Sequence, residues 1–162
     1  MDKKIIIGIM GPGSSATDND LEVAFELGKL LAENHYYVLI GGRASGVMEA
    51  AMKGAKSAGG TTLGILPSEN GEDQSEFVDI PIKTGMGSAR NNINVLTADV
   101  VIGVGIGPGT ASEIALAIKA QKPILLLNQS PESISFFQEF RYKDLVITNK
   151  LEELLKHIDA VL

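Results

Sequence analysis

Gly103, Gly105, Gly107 and Gly109 fall within seven residues, and Thr110 and Glu113 follow closely. Residues of these types at this spacing suit an anion site. Glycine lets backbone lie close to a ligand. A helix that begins directly after the glycines turns unpaired N–H groups and its positive dipole end to the same place. A phosphate fits there, but Glu113 is no phosphate ligand, because like charges repel. Two roles are open to it: a dipole-favoured carboxylate in the first turn of the helix, or a contact with a sugar or a reacting carbon. Arg90 is the second candidate. It falls in the expected first turn of another helix, where the dipole disfavours a cation. Either it reaches an anion or a carboxylate across a crevice, or it is solvated or paired within the chain.

Two more glycine-rich turns follow apolar runs: Gly11-Pro12-Gly13-Ser14-Ser15, and Gly41-Gly42-Arg43-Ala44-Ser45-Gly46, which leads to Met48. Each is open to two readings, a tight turn or a ligand contact. Neither is a GxGxxG fingerprint and no GxxxxGK[ST] occurs, which argues against dinucleotide and Walker-type sites. His35 and His157 lie outside every glycine turn. No HExxH, paired-His motif or carboxylate cluster points to a metal, and there is no GxSxG elbow. Lys53, Lys56, Lys119 and Lys122 read as helix-face or loop charges.

These turns need strands before them and helices after them. Uniformly apolar runs predict strands over 5–10, 36–40, 61–67, 99–102 and 122–127, of the kind covered on both faces. Shorter strands are expected at 77–82, on an edge because of Pro81, and at 145–147. Helices are expected from Asp18-Asn19-Asp20 to Asn34, over 47–58 with Gly59-Gly60 as the stop, over 89–98 with Ser88 as N-cap, through 114–120, over 133–140, and around Leu151, Leu154, Leu155 and Ile158. Residues 68–76 read as an acidic surface loop. Alternation of this kind predicts an α/β fold, a doubly wound parallel Rossmann-like sheet in a single domain spanning 1–162. Right-handed crossovers bring the turns at 11–15, 41–46, 84–88 and 103–110 to one edge.

Bulk composition narrows the function classes. The 162 residues are 44% hydrophobic and 21% charged, with net charge −6 and 5% aromatics. Nucleic-acid binding is disfavoured, because affinity for a phosphate backbone needs a basic surface. No run approaches the ~20 apolar residues that span a bilayer, so no membrane partner is expected. There are no cysteines, hence no disulfide or thiolate site. The start, Met1-Asp2-Lys3-Lys4, lacks a signal-peptide shape, and a cytoplasmic location is expected.

Two segments carry a family resemblance. Gly41-Gly42-Arg43-Ala44-Ser45-Gly46-Val47-Met48, with Ala51, Gly54-Ala55 and Gly60, resembles a GGxxGxM…A…GA…GG pattern. Ser88-Ala89-Arg90-Asn91 with Gly107-Pro108-Gly109-Thr110-Ala111-Ser112-Glu113 resembles an Arg-containing helix start and GxGTxxE. Both belong to the Rossmann-like group once labelled lysine decarboxylase-like, which includes the Lonely-guy phosphoribohydrolases and the molybdenum cofactor carrier proteins. The resemblance implies a small phosphorylated ligand, a nucleotide or a molybdenum cofactor-like pterin phosphate, with no other cofactor required. It implies phosphate contacts at the glycine amides and Thr110. In the hydrolase branch it implies catalysis by Arg90 and Glu113. Ligand-binding positions are then Gly11, Gly13, Ser14, Gly41, Gly42, Arg43, Gly46, Met48, Gly105, Gly107, Gly109 and Thr110. The hydrolases carry PGGxGTxxE and Arg-Lys, whereas this chain has Gly105-Ile106-Gly107 and Arg90-Asn91. These departures favour the carrier-like branch. No lysine suits pyridoxal phosphate, so decarboxylation is not expected. The family implies a homodimer or higher homo-oligomer, with Phe136, Phe137 and the Ala-rich helix as expected contacts.

Overall fold

The computed structural model describes residues 4–162; Met1–Lys3, on which the signal-free start partly rests, lie outside the described residues. Seven strands form one parallel sheet: β1 (Ile6–Met10), β2 (Tyr37–Ile40), β3 (Thr62–Leu66), β4 (Ile80–Lys83), β5 (Val100–Val104), β6 (Ile124–Leu127) and β7 (Leu145–Ile147). Their order is β4-β3-β2-β1-β5-β6-β7. The chain winds outward from β1 to β4, then crosses back to place β5 beside β1, with Ile9 opposite Ile102. This is the doubly wound Rossmann-like arrangement, with its switch point between β1 and β5, where such sheets bind ligands.

Six helices cover the sheet: α1 (Asp18–Glu33), α2 (Gly46–Ser57), α3 (Asn91–Thr97), α4 (Pro108–Lys119), α5 (Pro131–Gln138) and α6 (Leu151–Val161). Helices α1, α2 and α6 pack on one face, around Leu27, Met52 and Ile158. Helices α3, α4 and α5 pack on the other, around Val95, Ile114 and Phe137. Both faces being covered explains why β3 and β5 are buried at every position and read as unbroken apolar runs. Strand β4 is exposed throughout, and its Pro81 and Lys83 suit an edge that must not recruit a further strand.

Several expected boundaries moved. Thr17, not Asp18, caps α1: its Oγ1 accepts from the Asp20 backbone N–H, and the Asp20 carboxylate accepts from the Thr17 N–H at 2.9 Å. Ser88 is no N-cap. Gly85 and Gly87, both at positive φ, turn the chain into a 3-10 segment, Gly87–Arg90, and regular helix starts only at Asn91. One expected oligomer contact is corrected. Phe137 is buried in the core, leaving only Phe136 of that pair exposed. The Ala-rich helix α2 is used inside the chain: a Cβ on Gly28 of α1 would collide with the Ala51 carbonyl, and one on Gly54 of α2 with the Phe25 carbonyl. The small residues therefore let α1 and α2 touch backbone to backbone.

Candidate functional site

The turns after β1, β2 and β5 and the 3-10 segment meet around a cavity of about 420 Å³ over the carboxyl ends of the strands. Gly11, Gly13, Ser14, Gly41, Arg43, Met48, Arg90, Gly107, Gly109, Thr110 and Glu113 all line it. Gly42, Gly46 and Gly105 do not. Each of those three has positive φ and shapes a turn from behind. A Cβ would press Gly42 on Gly64, Gly46 on the Pro12 and Gly13 carbonyls, and Gly105 on Asp20. Ile106 is not part of the lining either.

Helix starts differ in a way that matters here. Side chains close α1, through Thr17 and Asp20, and α5, through Ser130. No side chain caps α2 or α4, and both begin at the cavity. In α4 the first helical bond runs from the Ala111 N–H to the Gly107 carbonyl at 2.8 Å. Pro108 has no N–H, so the N–H groups of Gly109 and Thr110 have no helical acceptor. The Thr110 hydroxyl oxygen is buried and has no hydrogen-bond partner among the described residues. An orphaned buried polar group costs about 1–3 kcal/mol.

Glu113 is the sixth residue of α4, beyond the turn where the dipole acts, so the dipole role is overturned. It is only 6% exposed. Asn94 Nδ2 donates to its Oε1 at 2.8 Å, and Arg90 Nη1 stands 3.9 Å from the same oxygen. Burial pushes the Glu113 carboxyl up to about 7, against the pull of Asn94 and Arg90.

Arg90 closes the 3-10 segment and is only 8% exposed, so it is not solvated. It is paired within the chain and faces the cavity at once. Nη1 donates to Asn91 Oδ1, Nη2 points at the Gly41 carbonyl 3.5 Å away, and Nε has no partner among the described residues. Gly41 leaves room for it: a Cβ there would sit 2.7 Å from Nη2. Burial lowers the basicity of Arg90, with Glu113 opposing. Arg43 pairs with Asp73 at 2.9 Å, in the acidic loop.

Sequence reasoning missed two supports. Asn94, fully buried, orients Glu113; its helical neighbours Arg90, Asn91, Thr97 and Ala98 are mostly polar, so no sequence signal marked it. Asp20 accepts from Asn128 Nδ2 at 2.6 Å and so ties the start of α1 to the end of β6. Neither histidine lines the cavity. No cluster of three or more His, Asp or Glu among the described residues could hold a metal ion.

The SLOG cluster4 family model matches residues 4–155. The chain belongs to the SLOG cluster4 family. Solved structures similar to this SLOG cluster4 chain include the molybdenum cofactor binding protein of the phototrophic bacterium Rippkaea orientalis, 50% identical, with 98% of each chain covered and a TM-score of 0.95. The molybdenum cofactor carrier protein of Chlamydomonas reinhardtii is 48% identical, again over 98% of each chain, with a TM-score of 0.90. A protein of Archaeoglobus fulgidus is 45% identical over 77% of this chain and 81% of its own.

Proposed function

We propose that the chain is a carrier that binds a phosphorylated heterocycle, a molybdenum cofactor-like pterin phosphate or a nucleotide, at its glycine turns. The observation that carries this reading is the pair of buried groups lining the cavity without partners among the described residues, Thr110 Oγ1 and Arg90 Nε. Its similarity to a molybdenum cofactor binding protein and a molybdenum cofactor carrier protein supports a molybdenum cofactor-like ligand. In this reading the Gly109 and Thr110 N–H groups and the Thr110 hydroxyl hold the phosphate. Arg90 supplies positive charge, and Arg43, paired with Asp73, supplies hydrogen-bond donors. Gly11, Gly13, Ser14, Gly41, Met48 and Gly107 form walls close enough for backbone contact, and Glu113 faces the heterocycle or sugar. The metal is cargo, held by the pterin's own atoms. A cytoplasmic location belongs to the same reading.

The test is retention. Wild-type protein mixed with molybdenum cofactor released from a molybdoenzyme should keep it through gel filtration, and Thr110→Val and Arg90→Met should lose most of it. A wild-type protein that elutes empty sinks the reading.

One observation favours a second reading, phosphoribohydrolysis of nucleoside 5′-monophosphates: Arg90 and Glu113 stand together in the cavity. Opposing it, Asn91 spends its polar groups on Arg90 and on Ser112 Oγ, the latter at 3.0 Å, and brings no second cation. Incubation with AMP should release no adenine; release that stops in Glu113→Ala would reverse the preference.

Self-association fits the α3–α4–α5 face. Leu96 and Phe136 are more than half exposed there, and the exposed charges of its helices are Lys119 on α4 and Glu132 on α5. Two copies of a chain with net charge −6 repel least across such a face. Light scattering should find a dimer or larger species that Leu96→Lys shifts to monomer; a monomeric wild type would refute it.

A further inference from the structure

Glu113 presents two unlike oxygens. Oε1 is engaged by Asn94 Nδ2 at 2.8 Å, with Arg90 Nη1 beside it. Oε2 accepts from no group among the described residues, and it is not among the sealed, unpartnered atoms, so it opens on the cavity that Glu113 lines. Thr110, three residues earlier on α4, lies on the same helix face. An anion held at Thr110 therefore sits near the buried Glu113, where like charges repel more strongly than in bulk water.

We propose that Glu113 takes up a proton when an anion enters the cavity, and that Asn94 is the positioning residue that directs this proton to Oε2, the oxygen facing the ligand. The inference rests on the anion site proposed above. The charged side chains lining the cavity are Arg43, Arg90 and Glu113. Arg43 is matched by Asp73, so Arg90 alone balances Glu113. An arriving dianion leaves an excess of negative charge, and neutralising Glu113 relieves it. The bond from Asn94 favours keeping Oε1 as the carbonyl oxygen, because the C=O of a carboxyl accepts a hydrogen bond better than its O–H oxygen does. The proton then sits on Oε2 as a hydrogen-bond donor to the ligand, a carboxyl kept neutral by its surroundings and stabilised further by the anion.

The test uses sulfate, whose charge is constant between pH 6 and 9. Sulfate affinity of the wild-type chain should fall about tenfold per pH unit above neutrality, the slope of one linked proton. In Glu113→Gln it should be flat. The Asn94→Leu chain, which lacks the donor to Oε1, should show Glu113 titrating at higher pH by carboxyl ¹³C resonance, with the break in the sulfate profile moved to the same pH. If Asn94→Leu fails to fold, the wild-type and Glu113→Gln profiles still decide the uptake, and Asn94→Ser replaces it. A pH-independent wild-type affinity overturns the coupling while leaving the anion site standing. An unmoved Glu113 titration in the Asn94 variant overturns the role of Asn94. No sulfate binding at any pH removes the site itself and the coupling with it.

Discussion

Thr110→Val separates a binding site from a packing site by the sign of two effects. Thr110 is 1% exposed and its hydroxyl oxygen has no partner among the described residues. Valine keeps the shape and removes the orphaned group. The desolvation penalty of such a group is about 1–3 kcal/mol. Its removal should raise stability by about 1 kcal/mol at the low end, or about 2–4 °C in melting temperature for a chain of this size. Binding should move the other way. A hydroxyl bond to a charged phosphate is worth about 1.5–3 kcal/mol, so affinity for an anion should drop about 10- to 150-fold. The assay pairs calorimetric melting of the ligand-free protein with titration of a phosphorylated ligand. A variant that melts lower and binds as the wild type does would show that the hydroxyl serves the fold, and the reasoning from orphaned groups would fail.

Glu113→Gln should alter the pH dependence of stability. The folded carboxyl titrates near 7, above its unfolded value of about 4.3. The native state therefore binds the extra proton between these values, and wild-type stability falls as pH rises through that window, then levels. The full loss is about 4 kcal/mol in order of magnitude, and Glu113→Gln should melt higher than wild type at pH 8; an equal slope in both would refute the assignment. Gly28→Ala forces a Cβ onto the Ala51 carbonyl and should cost about 1–3 kcal/mol in denaturant melts; an unchanged midpoint would mean that α1 and α2 separate freely. Asp20→Ala removes half of the α1 capping box and the bond from Asn128, and should cost about 1–2 kcal/mol together with faster amide exchange at Gly105.

Much of the fold was legible because a sheet buried on both faces writes its strands as runs such as Val100–Val104. The turns were legible because glycine is chemically required there. Nothing in Ser88 announced that Gly85 and Gly87 would delay α3 and leave Arg90 on a 3-10 turn, since a good capping residue does not fix the backbone around it. Among the glycines, residue type alone could not separate Gly41, which faces the cavity, from Gly42, which packs on Gly64. That division depends on which way the turn is viewed from the ligand. The dipole role stayed open for Glu113 because the start of α4 was hidden by Pro108 and Gly109, poor helix formers that nonetheless suit its first turn. Asn94 escaped notice because its importance lies in a partner 19 residues away.

The glycine contact between α1 and α2 determines how the crevice can deform. Helices whose main chains touch cannot slide without collision, so the turns ahead of them, 11–15 and 41–46, form a fixed jaw. The opposite side is lighter. Helix α3 has seven residues, hangs on the preceding 3-10 turn, and is tied to α4 at its exposed edge by the Asn91–Ser112 hydrogen bond. Any widening of the crevice is therefore expected to come from α3, which would carry Arg90 and Asn94 with it and strain the Asn94–Glu113 bond. Fit and the charge balance of the site are then adjusted by one and the same motion.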